Sequence, residues 1–546
     1  MLNLTRSRSE QRSTSRLSRR LAGLAGTVVV SLAAAACSGG ASDTTSDMSD
    51  QIAGDAPEVA TNQTLTVGLA TLQQQYADPV LANEGGNTYP IKWSVGEPLI
   101  RQDIDLAQVP GLATEWVVSD DDLTWTVSLR DGVKMHDGSD FTAQDVATSI
   151  ERVKDPLFTS YAAYSSKIDE VKVVDDLTIE ITTNVPYANL VFDTPPPIAT
   201  AYYNEVGEDE FQKAPVAAGP FKFDSAVFND SMTLTRFDDF WDSERIPNFQ
   251  TLVLKIIPDE SSRLSGIQTG QIDIAQGLTP NSADQLRGNP DVSLLSSDEA
   301  SVANVFFVDN YFDEASPLKD PSVRKALMLA IDRQSIADSL YRGFGSVTTN
   351  ATLPVTLGND ESLEPWPYDP DEARKLLADA GASDLSFTLH LYNTTTAIAD
   401  VVKFAEAVAG YWKEVGVDVD VDALDPATYL DQVVKHQLTG AVILGTPGLL
   451  ISDPEKLSIF YTSTGGYTTV KDPDLDSSFA ELSSTVDRDA QAEIAGDISR
   501  ALHETLYGLP VVSLDAVYAV NTKTVASWEL MQGNPYPGPF WYLRAK

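Results

Sequence analysis

Strand and helix patterns alternate along this chain, and the alternation is the feature that most restricts its fold. Apolar residues at every second position predict strands, and the segments that show this pattern are 64–69, 125–129, 231–237, 251–257 and 417–421. The stretch 171–183 predicts a hairpin that turns at Asp175-Asp176. A chain that uses both patterns pairs its strands into sheets and covers them with helices, so we predict a mixed α/β fold.

Helix starts are marked by capping residues. Asp320-Pro321 predicts one start, because Asp caps the first free amides and Pro fits the first turn. Thr142 and Asp145 have the spacing of a capping box, which predicts a helix to about Val153. The same signals and apolar stripes predict further helices at 370–380 and 398–415.

The N-terminal segment predicts export. Residues 1–20 carry six Arg, the apolar residues 21–36 carry no charge, and Ala34-Ala35-Ala36-Cys37 resembles a bacterial lipobox. This order is typical of a secretory signal. We therefore expect a lipoprotein signal peptide at 1–36, lipidation at Cys37 and a flexible Ser/Gly/Asp-rich tether at 37–60. The export route, general or twin-arginine, stays open.

Charge and cysteine content exclude several classes of function. The chain has 38 Lys and Arg against 79 Asp and Glu, a formal net charge of −41. Such a surface repels phosphate backbones, so we expect no nucleic-acid partner. A single Cys excludes an intrachain disulfide and a Cys-rich zinc site, and the four His lie far apart in sequence. We predict no metal and no cofactor.

Familiar catalytic motifs are missing. The sequence contains no Gly-x-Ser-x-Gly and no phosphate-binding Gly-x-x-x-x-Gly-Lys. His503-Glu504 resembles the start of a zincin motif, but Tyr507 stands where the second His would be. We predict that the protein is not an enzyme, and a secreted hydrolase stays as a third possibility.

The segment 109–153 carries the most specific pattern. It contains Pro-Gly-Leu-Ala at 110–113, Val-Lys-Met-His-Asp-Gly at 133–138 and Thr-Ala-Gln-Asp-Val at 142–146. These elements closely resemble the signature of the family 5 solute-binding proteins of ABC importers, the group that includes oligopeptide-, dipeptide- and nickel-binding members; Met135 stands where that family usually has an aromatic residue. Further landmarks follow in the family's order, at Gly219-Pro220-Phe221, Phe240-Trp241, 268–273, 323–333, 368–381 and 413–417.

The resemblance implies a three-lobed architecture. The expected fold is α/β, periplasmic-binding-protein-like type II (a clam-shell) with an extra lobe and mixed sheets flanked by helices. Carried over, lobe I comprises 61–91, 195–303 and 505–546, lobe II comprises 92–194, and lobe III comprises 304–504. Lobes I and III would close about two crossover strands near 300–310 and 505–520.

The same resemblance implies a function. It predicts a substrate-binding lipoprotein on the extracytoplasmic face of the bacterial cell membrane, anchored through Cys37. The protein would capture a peptide or a similar small polar organic solute and deliver it to an ABC permease with separate ATPase subunits. We expect a monomer. The alternatives are a solute receptor or chaperone on the same fold and a nickel-chelate binder.

The resemblance also places the ligand at the seam between lobes I and III. Trp93, Tyr461 and Tyr467 are candidates for its walls, and Asp453 for a polar contact. Packing for the aromatic residues and a plain turn for Asp453 are the alternatives. Leu450 stands where peptide-binding members often have an Asp that pairs with the ligand's ammonium group. A free peptide N-terminus would thus be recognised differently, or the ligand is not a free peptide.

The signature residues themselves have a structural interpretation. We expect His136 to be a hydrogen-bonded turn residue rather than a metal ligand. We expect Arg324 to satisfy helix ends, and Trp116 and Trp241 to pack in a core.

Overall fold

The structure is a computed structural model that describes residues 63–72, 77–81, 88–309, 315–354, 356–393, 395 and 397–546. The predicted signal peptide at 1–36, Cys37 and the tether at 37–60 lie outside these residues. Within the described ranges, no helix has both the length and the hydropathy that a bilayer crossing needs.

Strands and helices alternate as predicted. The strands are β1 (Thr64–Leu69), β2 (Ile100–Gln102), β3 (Gln108–Pro110), β4 (Ala113–Val118), β5 (Thr124–Leu129), β6 (Ile168–Asp175), β7 (Thr178–Thr183), β8 (Phe221–Val227), β9 (Ser231–Arg236), β10 (Thr251–Ile256), β11 (Ile274–Gln276), β12 (Val292–Phe307), β13 (Gly345–Ser346), β14 (Ser386–Tyr392), β15 (Asp418–Leu424), β16 (Ala441–Pro447), β17 (Gly508–Asn521), β18 (Val525–Trp528) and β19 (Leu543–Ala545). All five predicted strands and the predicted hairpin are present.

The helices begin where the capping residues predicted. Thr142 donates its backbone N–H to Asp145 Oδ2 at 2.8 Å, and Asp320 accepts from the N–H of Ser322 at 2.8 Å. The α-helices are Tyr89–Val95, Ala143–Arg152, Ala162–Ser165, Leu190–Asp193, Thr200–Val206, Glu208–Phe211, Glu260–Thr269, Pro280–Asp284, Pro321–Leu329, Arg333–Leu340, Pro370–Asp379, Val401–Glu414, Pro426–Val434, Gly448–Ile451, Ser458–Tyr461, Pro473–Ser484 and Arg488–Thr505.

One eleven-stranded sheet runs through the molecule in the order β15-β14-β16-β12-β17-β11-β1-β10-β9-β8, with β13 paired to β17 beside this path. β1 is parallel to β10 and β11 at one end, and β14 is parallel to β15 and β16 at the other. Between these regions lie β12 and β17, of 16 and 14 residues, which pair antiparallel. These long strands lie where the crossover strands are predicted.

The second half of the central strand β12 is apolar on both faces. Val305 and Phe307 belong to one core with the helices Pro321–Leu329 and Val401–Glu414. Val302 and Phe306, which alternate with them, belong to a second core on the other side of the sheet. Each fully buried side chain of this kind contributes about 2 kcal/mol. Because helices cover both faces here, residues 302–307 form an apolar run that only Asn304 interrupts.

A separate antiparallel sheet has the order β4-β5-β7-β6. The helix Ala143–Arg152 packs on it through Val146 and Ile150. This sheet falls within 92–194, the range predicted for lobe II. The lobe boundaries themselves stay a prediction.

Two signature elements that lie far apart in sequence meet in the fold. His136 donates its backbone N–H to Ala217 O at 2.8 Å, and its ring Nε2 is 2.9 Å from Gly219 O. A carbonyl oxygen accepts only, so Nε2 carries the proton and Nδ1 accepts from the N–H of Ala217 at 3.4 Å. Burial lowers the pKa of His136 from 6.5 to about 4, although the bond to Gly219 opposes this shift.

Arg324 has an equally structural set of partners. Its guanidinium donates to the carbonyl oxygens of Thr505 at 2.7 Å, Leu318 at 3.0 Å and Lys319 at 2.8 Å. The side chain is almost fully buried. It therefore holds the C-terminal end of the helix Arg488–Thr505 against the start of the helix Pro321–Leu329.

The burial of neutral His136 predicts a pH dependence of stability. A pKa that is lower in the folded state gives stability that is present above 6.5 and is lost as the pH falls toward about 4. Between about pH 7 and about pH 4.5, the free energy of unfolding should fall by about 2 kcal/mol more in the wild type than in His136→Gln. Urea unfolding at both pH values measures this difference. An equal fall in the two proteins would contradict the assignment.

Candidate functional site

A cavity of about 1180 Å³ opens beside β12 and β17 in the middle of the large sheet. One wall follows the carboxyl ends of β1, β10 and β11, at residues 70–71, 258–263 and 276–280. The opposite wall follows the carboxyl ends of β14 and β16, at residues 392–393, 395, 397–403 and 406 and at residues 444–445, 447 and 450. Ligands of open α/β sheets bind outside the carboxyl ends of parallel strands. The cavity thus lies at the carboxyl ends of both sets of parallel strands, which is where the topology favours a ligand.

The size of the cavity limits what it can hold. Pockets for small molecules usually measure about 300–1,000 Å³. At about 1180 Å³ the cavity has room for an organic solute of at least that class. Its walls mix apolar side chains such as Leu444 and Phe460 with polar ones such as Asn393 and Gln276.

Two of the five predicted ligand residues line this cavity. Tyr467 is half-buried there, with its ring centre 6.0 Å from that of Phe460, and Leu450 lies on the same wall. The described lining does not include Trp93, Asp453 or Tyr461.

The other two aromatic candidates pack against neighbouring rings. Tyr461 is 1% exposed, and its ring centre lies 5.6 Å from that of Phe306 on β12. Trp93 is half-buried, 5.2 Å from the ring centre of Tyr89. Neither observation tests ligand contact, and both residues stay candidates.

Asp453 belongs to a polar cluster beside the cavity, which we call the 189–456 cluster and which comprises Asn189, Asp193, Asp453, Glu455 and Lys456. Asp453 accepts from Asn189 Nδ2 at 3.0 Å and from the N–H of Glu455 at 3.0 Å. Lys456 Nζ donates to both carboxylate oxygens of Asp193 at 3.0 Å. Burial raises the pKa of Asp453 to about 6, although the charge of Lys456 opposes this shift. The cluster ties residues 189–193 to residues 453–456.

The cavity also contains charged residues that the sequence analysis did not select. Its described lining has four carboxylates and two cations, Arg263 and Lys403, which give a net formal charge of −2. The carboxylates are Glu260, Asp400, Glu406 and Asp515. The sequence did contain an indication that Asp515 is special, because it is the one charged residue in the apolar stretch 508–521. A single charge in a central strand indicates a special environment.

Both cations of the lining already have partners. Arg263 donates to the carbonyl oxygens of Gln276, Ile257, Pro258 and Gly277 at 2.7–3.0 Å. Lys403 Nζ lies 2.9 Å from Asp400 Oδ1. Within the described residues, no three His, Cys, Asp or Glu side chains are grouped as a metal ion would require.

The family model described as bacterial extracellular solute-binding proteins, family 5 Middle, matches residues 107–468. The chain belongs to this family. The glutathione-binding protein GsiB of Salmonella paratyphi A is 29% identical over 355 residues, which are 64% of this chain and 67% of GsiB. Its Escherichia coli counterpart is 29% identical over 321 residues, 58% of this chain and 60% of that protein. The matched stretches thus span about two thirds of these relatives or less.

Solved structures show the same fold. DppA from Helicobacter pylori, in complex with the peptide STSA, has a TM-score of 0.72 at 21% identity and covers 89% of this chain and 98% of its own. NikZ from Campylobacter jejuni, in complex with Ni(L-His), has a TM-score of 0.74 at 21% identity and covers 89% of this chain and 100% of its own. The predicted periplasmic-binding-protein-like α/β fold is therefore confirmed.

Tyr467 and Tyr461 make a matched pair for testing the cavity. Tyr467→Ala removes a ring from the wall and should weaken solute binding about tenfold or more, because a buried aromatic contact contributes about 1.5–3 kcal/mol. Tyr461→Ala removes a core ring and should lower the free energy of unfolding by about 3–5 kcal/mol. Native mass spectrometry of bound solute and urea unfolding separate the two effects. Weaker binding in the Tyr461 variant alone would show that the ligand lies elsewhere.

Proposed function

We propose that this protein is the substrate-binding component of an ABC importer. It captures a peptide or a similar small polar organic solute and delivers it to a membrane permease driven by separate ATPase subunits. The observation that carries the proposal is the cavity of about 1180 Å³, with walls at both ends of the large sheet, in a member of a solute-binding family. We further propose that it acts as a monomer and without catalysis.

The topology supports a closing mechanism. The two walls of the cavity are joined through β12 and β17, so a change in the twist of this pair would move one wall relative to the other. A solute that contacts both walls binds the closed arrangement better than the open one and therefore shifts the population toward it. The permease would then recognise the closed, loaded form. Lobes with the predicted boundaries would be the bodies that move.

The comparisons favour a peptide-like solute. GsiB is named for binding glutathione, and DppA is bound to a short peptide. Glutathione and this peptide are polar chains of amino-acid units that fit a cavity of this size. Leu450 on the cavity wall indicates that any ligand ammonium group finds its counter-charge on another residue.

Native mass spectrometry of the full chain, with extraction and sequencing of whatever co-purifies, tests the solute class. We expect a series of masses that fragment as amino acids. A saturating solute, at about 100 times its Kd, should raise the free energy of unfolding by about 2.7 kcal/mol. A single non-peptide mass, or a nickel chelate, would contradict the peptide assignment.

The transport step has a separate test. Cells that lack this protein should lose uptake of the same solute, and the wild-type chain should restore it. If the purified protein binds the solute while uptake in the deletion strain is unchanged, the receptor or chaperone alternative replaces import.

We also propose that residues 1–36 are removed as a signal peptide and that lipidated Cys37 holds the protein on the outer face of the cell membrane. Acyl chains contribute about 0.8 kcal/mol per buried CH₂ group, so two or more chains give stable anchoring. Cys37→Ser should move the protein from the membrane fraction to the soluble fraction and remove the acyl mass, whereas Ser38→Ala should change neither. Membrane retention of the Cys37 variant would contradict the anchor.

A further inference from the structure

Asp515 is a carboxylate in the cavity wall that has no cationic partner among the described residues. It lies within the apolar strand β17, is half-buried and lines the cavity. Its Oδ1 accepts from the backbone N–H of Glu299 at 3.0 Å, and its own N–H donates to Phe344 O at 3.1 Å. No Lys, Arg or His of the described residues forms an ion pair with it.

A bulge in the neighbouring strand β12 supplies the hydrogen bond to this carboxylate. The pairing of β12 with β17 shifts register between Ser297 and Ser301, and Glu299 in this bulge has a φ of 52°. A left-handed non-glycine residue costs about 1–3 kcal/mol and persists where the surrounding structure requires it. The bulge aims the N–H of Glu299 at Asp515. It also brings the Asp298 and Glu299 carboxylates near, and burial together with these charges raises the pKa of Asp515 to about 7.

Tyr341 supplies a second, independent observation. It lines the same cavity and is 1% exposed, yet its hydroxyl has no hydrogen-bond partner among the described residues. A buried hydroxyl without a partner costs about 1–3 kcal/mol. Burial and the charge of Asp400 both raise its pKa, so the group stays a neutral donor and acceptor.

The other charged residues of the cavity do not neutralise the charge of Asp515. Arg263 donates to four carbonyl oxygens, and Lys403 pairs with Asp400. Both cations of the described lining thus have protein partners, and its four carboxylates leave a net formal charge of −2. A half-buried carboxylate is stabilised when a positive charge comes to hydrogen-bond distance.

We infer that the cavity selects solutes with a protonated amine or guanidinium group, that Asp515 binds this group, and that the Tyr341 hydroxyl bonds a polar atom of the same solute. The inference rests on the proposed function, because it assumes that the cavity holds the captured solute. The inference specifies, in addition, that the solute is positively charged and that Asp515 recognises this charge.

Two peptide libraries test the inference on the full chain. Both consist of random tripeptide amides of uncharged residues, one with free and one with acetylated N-termini, so that they differ by a single positive charge. Wild type should bind the free library at least about tenfold more tightly. Asp515→Asn should lose this preference, and the matched control Asp298→Asn, which removes a neighbouring charge outside the cavity lining, should keep it. Equal binding of both libraries by wild type, or an unchanged preference in Asp515→Asn, overturns the inference.

Urea unfolding distinguishes a variant with a folding defect from one that has lost only a ligand contact. Removing an uncompensated carboxylate should leave the urea midpoint of ligand-free Asp515→Asn equal to that of wild type or higher, while binding falls. Tyr341→Phe should likewise keep its stability, because the hydroxyl has no partner among the described residues, and should bind the free library several-fold more weakly. Unchanged binding in Tyr341→Phe would remove Tyr341 from the site.

The proposed function and this inference can fail separately. If wild type binds neither library, the peptide assignment fails, and the molecule extracted from the purified protein decides the inference. A cationic molecule that Asp298→Asn retains and Asp515→Asn loses supports it. A neutral or anionic molecule, or equal retention by both variants, overturns it.

Discussion

The antiparallel pairing of β12 with β17 is the interaction on which the rest of the structure depends. These strands, of 16 and 14 residues, join two parallel regions into one sheet, and β12 supplies apolar side chains to the cores on both of its faces. A slip by one residue would exchange the side chains that pack in these two cores, so the packing on both faces fixes the register. The bulge at Glu299 is one of two register shifts in this pairing, and Asp515, which accepts a hydrogen bond from the bulge, lines the cavity.

The polar residues described above fall into two kinds. Arg324, Arg263 and the 189–456 cluster have protein partners for their charges, as the low dielectric of an interior requires. Among the described residues, Asp515 has no cationic partner and the Tyr341 hydroxyl has no hydrogen-bond partner, and both residues line the cavity. Because an unmatched polar group is costly in a packed interior, its persistence at a cavity points to a ligand as the missing partner.

Charge outside and inside the cavity has the same sign. The chain carries a formal net charge of −41, and the described lining of the cavity carries −2. A negative surface raises the local concentration of cations, and a cleft with low-dielectric walls focuses that field. A positively charged solute would therefore be both attracted to the protein and matched by its cavity, whereas an anionic one would meet neither condition.

The sequence by itself determined the strands, the helix starts, the family and the structural role of His136. Each of these depends on a local pattern, such as apolar alternation, a capping residue or a signature motif, that lies within a short stretch of chain. It did not determine which candidates share the cavity. Tyr461 and Tyr467 are six residues apart, yet one packs under β12 and the other lines the cavity. Only the tertiary structure decided this, and only it brought Asp515, Tyr341 and Glu299 to one place. Such contacts depend on register and on the face each element presents, which segments hundreds of residues apart fix together.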